Sequence, residues 1–490
     1  MSWVEIAHWV FYRFEWLILA YFLFVNTMYL VLLISAWAAM LEHRRVVKGE
    51  FRWKLLGSSQ IPRISVLAPA YNEGATIADS LHAFLTLNYP NLEIILVNDG
   101  SKDKTMEVIK DNFDLTSIHP IYQRRIETKA VRALYASRRY PNLVVLDKEN
   151  GGKADALNAA LNLATGQLVC VVDSDTLIEA DALLRMVRPF LMGENVLAVG
   201  GTIRVANGSR VEGGRVTAPR MPRSALAGFQ VVEYLRSFLF GRLGWNKMAG
   251  NLIISGAFGL FRRDSVIAIG GYAHHTVGED MEIVARLRRH GYENKDANKV
   301  IFIPDPVAWT EVPESPRVLA RQRDRWHRGL AEVLWRHRQV MFNYKYGGLG
   351  LLVFPFFVLV ELVAPVIEAI GVLGCVAGWL LGAMNVPFAI CFFLFAYGYG
   401  TLLSMFVLLM EEWSYHRYDT LRDRLLLLLW ASLENLGYRQ LTVWWRLKGL
   451  AGFLSGRKTW GHMERKGFQT QPPTNARAAA KLKPHIFFQK

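Results

Sequence analysis

The sequence predicts an α/β domain built on a mainly parallel sheet and embedded in an α-helical membrane protein. Three observations carry that expectation. Four short apolar runs, each ending in a polar turn, alternate with helix-like stretches between residues 62 and 315. A charge-free run of 25 residues, 16–40, precedes them. Long apolar segments follow, within 346–445.

Composition agrees. The chain has 490 residues, 52% of them hydrophobic, and a positive mean hydropathy, which is too apolar for an ordinary soluble protein. Its formal net charge is +15. Such a charge suits nucleic acid, but here the basic residues crowd beside the apolar segments, as in the cytoplasmic loops of membrane proteins. Membrane lipid is therefore expected as a partner and nucleic acid is not. Cys170, Cys375 and Cys391 have the spacing of neither a metal site nor a disulfide framework, which fits a reducing compartment.

The elements follow in order. After an N-terminal segment, 1–15, the run 16–40 (WLILAYFLFVNTMYLVLLISAWAAM) is long enough to cross a ~30 Å hydrocarbon core as one helix. No small-residue cleavage site follows it, so an uncleaved anchor is expected. The basic stretch 42–54 puts the linker 41–61 in the cytoplasm and the N-terminus outside. Within 62–315, ISVLAPAYNE, LEIILVNDGS, LVVLDKENGG and LVCVVDSDT read as strands, and ATIADSLHAFLTL and KADALNAALNLA as helices. This alternation builds a parallel sheet covered on both faces. Such sheets bind ligands beyond the carboxyl ends of their strands. Tyr71–Glu73, Asp99–Ser101, Gly151–Lys153 and Asp173–Asp175 fall at those ends.

Residues 316–345 read as interfacial helices. The segment 346–382 is broken by Pro355 and Pro365 and contains Glu361 and Glu368, so it reads as an interfacial or re-entrant part followed by a span. Residues 387–410 form a clean span. The stretch 425–445 is apolar but carries Glu434, Asn435, Arg439 and Gln440. Because the tail, 446–490, is basic, three spans are expected, with 425–445 shallow or partly re-entrant. The last 20 residues read as disordered.

The polar turns carry candidate chemistry. Asp173 and Asp175 at a strand end can hold a hard divalent cation together with diphosphate oxygens, although the same pattern makes a turn and helix cap. Lys153 could meet a phosphate, and Asp99 could accept hydrogen bonds from a base or ribose. GEDME, 278–282, supplies a carboxylate able to deprotonate an attacking hydroxyl, although helix starts also collect acidic residues. No G-x-G-x-x-G or G-x-x-x-x-G-K-[ST] occurs, so neither a dinucleotide fold nor a P-loop has support.

Together, AYNEG (70–74), VNDGS (97–101), NGGKADALN (150–158), DSD (173–175), SGAFGLFRR (255–263), GED (278–280) and QRDRW (322–326) resemble the processive family-2 membrane glycosyltransferases. Cellulose, chitin and hyaluronan synthases belong there, with poly-N-acetylglucosamine synthases nearest. The resemblance covers about residues 62–340. It implies a GT-A-type domain in the cytoplasm on a multi-pass protein of the inner or plasma membrane. It also implies an inverting, metal-dependent transfer from a UDP-sugar to a growing polysaccharide, with passage of the polymer outward. By resemblance, Tyr71, Glu73 and Asp99 contact the nucleoside and Lys153 the diphosphate. Asp173 sits near the ribose or diphosphate, Asp175 ligates Mg2+ or Mn2+, and Asp280 is the base. Arg325 meets the leaving diphosphate, for which its planar fork is suited. Gln322 and Trp326, with Glu279, border the acceptor, a glycan or a lipid-linked sugar. Arg321, Arg323 and Arg328 read as positive-inside residues.

Two departures stand out. GED occupies a place where the family more often has TED, so the support of Asp280 differs. The single anchor, where several relatives have two, leaves room for an accessory subunit. Other function classes compete. A single-transfer enzyme on a lipid-linked acceptor is one. A nucleotide-binding receptor would have lost the base or the metal ligand, yet Asp175 and Asp280 are present. A transporter is suggested by Glu361 and Glu368, since intramembrane carboxylates mark pathways. Their seven-residue spacing could equally line a helix contact.

Overall fold

The computed structural model describes residues 3–48, 61–119, 121–193, 195–296, 299–382 and 385–457. Most of the 41–61 linker, and the tail from 458 with its expected disorder, lie outside the described residues.

The strands are β1 (Ile64–Ala70), β2 (Leu92–Asn98), β3 (Leu115–Ile118), β4 (Val131–Ser137), β5 (Leu143–Lys148), β6 (Leu168–Val171), β7 (Leu177–Ile178), β8 (Val196–Val205), β9 (Arg210–Glu212), β10 (Arg215–Ala218), β11 (Gly259–Arg262) and β12 (Lys299–Thr310). The main helices are α1 (Trp3–Lys48), α2 (Ile77–Leu85), α3 (Thr105–Phe113), α4 (Lys153–Leu163), α5 (Ala225–Leu235), α6 (Glu279–Asn294), α7 (Pro316–Arg336), α8 (Ala364–Leu380), α9 (Val386–Phe393), α10 (Tyr399–Ser414), α11 (Leu421–Leu433) and α12 (Tyr438–Leu454).

Ten strands form one mixed sheet in the order β3-β4-β5-β2-β1-β6-β11-β8-β12-β7. The block β5-β2-β1-β6 is parallel. β11 enters antiparallel between β6 and β8, and β4 and β3 extend the other edge antiparallel. The four strands read from the sequence are the parallel block, and their near-continuous apolar composition follows from burial on both faces. Their carboxyl ends share one rim.

Among the described residues, three helices are long and apolar enough to cross a membrane: Tyr12–Arg45, Leu349–Leu380 and Val386–Ser414. The first is no loose tether. Its Leu32, Ala36 and Met40 share a buried cluster with Phe238, Trp245 and Phe302 of the sheet-bearing half. The 425–445 stretch is not one helix. It breaks after Leu433, with Gly437 at φ 85°, into α11 and α12. Around Pro355 the apolar chain runs as π-type turns, 349–353 and 357–362, as expected where proline removes an N–H from the helical ladder.

Candidate active site

The turns after β1 and β2 are zipped together. Asn72 N–H donates to Ser101 Oγ at 3.0 Å, Glu73 N–H to Thr105 Oγ1 at 2.9 Å, and Gly74 N–H to Asp103 Oδ2 at 3.0 Å. Tyr71 stands exposed at this rim. The Glu73 carboxylate accepts from Thr76 Oγ1 at 3.0 Å. Asp99 is buried, and its carboxylate serves the protein itself. Oδ1 accepts from Lys148 Nζ at 2.8 Å and Gly151 N–H at 3.0 Å, and Oδ2 accepts from Gly152 N–H at 2.8 Å. Lys148 also reaches Asp155 Oδ1 at 2.5 Å. Lys148, the last residue of β5, is fully buried, which it tolerates because two carboxylates surround it. This network shapes the glycine turn that presents Lys153. One signal in the sequence could have revealed it, a lysine closing a mostly apolar strand.

Lys153, at the start of α4, gathers the acidic groups. Its Nζ lies 2.8 Å from Asp173, 3.7 Å from Asp280 and 3.9 Å from Glu279. Residues from the ends of β5, β6 and α6 thus converge on one ammonium. Burial alone would lower the Lys153 pKa, but Asp173, Asp280 and Glu279 more than offset it and hold it above the ordinary lysine value. The two adjacent carboxyls of α6 go the other way. Burial raises Asp280 most, and Asp173 adds to it, while Lys153 and Arg325 pull it down. Glu279 is likewise raised by burial and then by Asp280, against Lys153 and Arg325. Arg325, on α7, is therefore close enough to act electrostatically on both.

Asp175 is buried beside this group, two residues past Asp173 in the turn between β6 and β7. Among the described residues, no group of three or more His, Cys, Asp or Glu side chains forms a protein-only metal cage. The donors available at the turn are carboxylate oxygens, hard ligands suited to Mg2+ or Mn2+, which characteristically take one or two carboxylates plus substrate phosphates. The donor set fits such an ion.

Two glycines, one in the SGAFG turn and one the GED glycine that departs from the family's TED, shape the setting of Asp280. Gly256, in the SGAFG turn, faces the Asp280 carboxylate so closely that a Cβ there would collide with both oxygens, and its backbone acts to favour the charged carboxylate. Gly278 packs against Gly329 of α7, where a Cβ on Gly329 would stand 2.9 Å from Gly278 Cα. This explains GED: a threonine at 278 would push α7 away. The start of α6 is thereby seated directly on the QRDRW helix.

On α7, Gln322, Arg325 and Trp326 share a face at helical spacing. Trp326 is 44% exposed, and the Gln322 carbonyl oxygen is buried without a hydrogen-bond partner among the described residues. Arg323 and Arg328, expected as solvated positive-inside residues, are instead buried. Arg323 donates to Glu233 Oε2 at 2.7 Å, and Arg328 donates to the Arg457 carbonyl at 3.0 Å. Their partners lie 90 and 129 residues away in the sequence, which is why charge counting misreads them.

The carboxylates of the apolar C-terminal segments singled out in the sequence are paired. Glu368 accepts from Arg439 at 2.9 and 3.1 Å, Glu434 from Arg236 at 2.6 and 2.7 Å, and Glu361 lies 3.4 Å from Arg446. The seven-residue spacing of Glu361 and Glu368 matches that of Arg446 and Arg439 on α12. These carboxylates line a helix contact.

Comparison with known proteins agrees with this architecture. Residues 62–329 match the model of the family described as Glycosyltransferase like family 2. The "Probable glycosyltransferase YdaM" of Bacillus subtilis is 27% identical over 333 residues, 65% of this chain and 70% of that protein. A poly-beta-1,6-N-acetyl-D-glucosamine synthase of Staphylococcus epidermidis is 32% identical over 279 residues, 56% of this chain. The match spans little more than half of that synthase, 57% of its length. Among solved structures, the mannosyltransferase PcManGT from Pyrobaculum calidifontis, in complex with GDP-Man and Mn2+, superposes with a TM-score of 0.48 at 17% identity, covering 88% of this chain and 99% of that one. With more than half of its length matched by the family model, and with a GT-A sheet whose acidic groups converge at the strand ends, the chain belongs to Glycosyltransferase like family 2.

Proposed function

We propose that the protein is an exopolysaccharide synthase that transfers sugar from a UDP-sugar, with UDP-N-acetylglucosamine the first candidate, to a growing glycan and passes the polymer across the membrane. The observation that carries this reading is the convergence of Asp173, Glu279 and Asp280 on Lys153 beside Arg325. It puts a candidate base within 4 Å of a candidate diphosphate cation.

The reaction is a single displacement. The acceptor hydroxyl oxygen attacks the anomeric carbon as the bond from that carbon to the UDP oxygen breaks, so configuration inverts. Asp280 takes the hydroxyl proton. UDP leaves with the bonding pair, and Lys153 and Arg325 bind the charge it gains. Arginine does so through its planar fork and lysine as a point charge. Asp175, with Asp173 next to it, would hold Mg2+ or Mn2+, which neutralises diphosphate charge when bound. Tyr71 and Glu73 border the nucleoside. Asp99 acts one step back by shaping the turn that carries Lys153. Gln322, Trp326 and Glu279 border the acceptor. The basic residues of 42–54 and 317–338 support a cytoplasmic catalytic domain.

Asp280→Asn tests the assignment. UDP affinity should stay close to wild type, while transfer falls by about 10²–10⁴, the usual worth of a general base. Because the Asp280 pKa is raised, the acid limb of wild-type kcat/KM should sit above the ordinary aspartate value of about 3.9. Activity should be lost as pH falls through that limb. Loss of UDP affinity in the variant would move Asp280 into the nucleotide site instead.

A further inference from the structure

We infer that Arg323, held by Glu233 and Tyr438, is a positioning residue for the acceptor platform: it fixes the inner face of Trp326 so that the outer face receives the growing chain. The inference rests on the reading of Trp326 as an acceptor-site residue.

Trp326 is 44% exposed whereas Arg323 is 4% exposed. The guanidinium carbon lies 4.4 Å from the tryptophan ring centroid, a cation–π geometry that strengthens when the cation is desolvated. One N–H of Arg323 reaches Glu233 Oε2 at 2.7 Å. Nε and Nη1 are buried without a hydrogen-bond acceptor among the described residues; the tryptophan ring lies against this guanidinium, and the Tyr438 hydroxyl acts on it electrostatically. Glu233 is itself fixed, since the Tyr438 hydroxyl donates to the same Oε2 at 2.8 Å. Tyr438 in turn stacks on Phe229 at 5.0 Å, with an interplanar angle of 19°. The platform is thus wedged between α5 and α12.

One turn along, Arg236 binds Glu434 and Ser404. The short stretch 233–236 therefore joins the acceptor platform to α10 and to the α11–α12 break. An indole free to rotate would have to be ordered each time the chain end moves forward. An indole held on one face needs no such ordering, so the clamp bears on how long the chain stays in register and not on how the donor binds.

The experiment compares Glu233→Gln, Trp326→Ala and the double variant in the full-length enzyme. The donor is UDP-N-acetylglucosamine, or whichever member of a UDP-sugar panel the wild-type enzyme consumes. Donor KM and mean product length are measured. Glu233→Gln should shorten the product by about tenfold, within the range of coupled contacts, with donor KM unchanged. In the Trp326→Ala background it should shorten the product no further. Additive shortening, or a changed donor KM with unchanged length, overturns the proposal. If Glu233→Gln does not fold, Tyr438→Phe removes one hydroxyl, keeps the stacked ring, and should give a smaller shortening that also vanishes without Trp326. A Trp326→Ala enzyme with wild-type product length would defeat the underlying reading of Trp326 instead, a result separate from additivity.

Discussion

The catalytic rim and the membrane half handle buried charge in opposite ways. Among the apolar C-terminal segments three carboxylates each have an arginine: Glu368 with Arg439, Glu434 with Arg236, and Glu361 with Arg446. At the rim a single lysine serves three carboxylates, Asp173, Glu279 and Asp280. One-to-one pairs cancel their charge and hold helices together. They also tolerate an apolar setting only while both partners remain. A three-to-one cluster keeps a surplus of negative charge, and burial together with that surplus raises the pKa of Glu279 and Asp280, a pattern characteristic of groups that meet a cation, a proton or a substrate. Lys148 stands between these extremes, with two carboxylates, Asp99 and Asp155, on one wholly buried cation that serves the protein itself.

That contrast can be broken in three places. The largest effect is expected at Asp175. Asp175→Asn should fold normally and lose transfer by about 10³-fold, the scale of a metal's contribution to charge stabilisation. Melting temperature and turnover, measured with and without EDTA, check this, and a variant fully active in EDTA would remove the metal role. Next comes Gly256→Ala. Its new methyl would displace the Asp280 carboxylate, and misplacing a reacting group by about 1 Å costs about 10²-fold. UDP affinity should not change, as titration of the variant with UDP would reveal. The smallest catalytic effect is expected from Glu368→Gln. This strands Arg439 within the membrane half, which costs about 3–5 kcal/mol of stability. Thermal unfolding in detergent should therefore drop, while enzyme that remains folded keeps its donor KM.

The same contrast explains what could be read from the sequence. The parallel strands and their rim were legible because each strand is an apolar run closed by a polar turn, a local pattern. The edge pair β3–β4 was not, because β3 is short and both strands are only partly buried. Tyr71, Glu73, Asp99, Lys153, Asp173 and Asp175 were found as residues ending strands, and GED and QRDRW as motifs. Their mutual distances were not legible, since Lys153 and Asp280 are 127 positions apart. Nor was the inward turn of Asp99 toward Lys148. Arg323 was misread for the same reason: a basic run looks like a solvated loop until Glu233 appears opposite it. Gly278 looked like a departure from a motif, and only its contact with Gly329 gives it a reason.

The central claim is that the acidic rim drives repeated sugar transfer onto one chain. Sizing the product of purified full-length enzyme tests it most directly. The enzyme is incubated with a panel of UDP-sugars and Mg2+ or Mn2+, and the product is resolved by length at low turnover per enzyme. The account predicts long polymer from one UDP-sugar while most enzyme molecules have yet to start a second chain. Addition of a single sugar to a lipid-linked acceptor, with no longer species at any time, would contradict it.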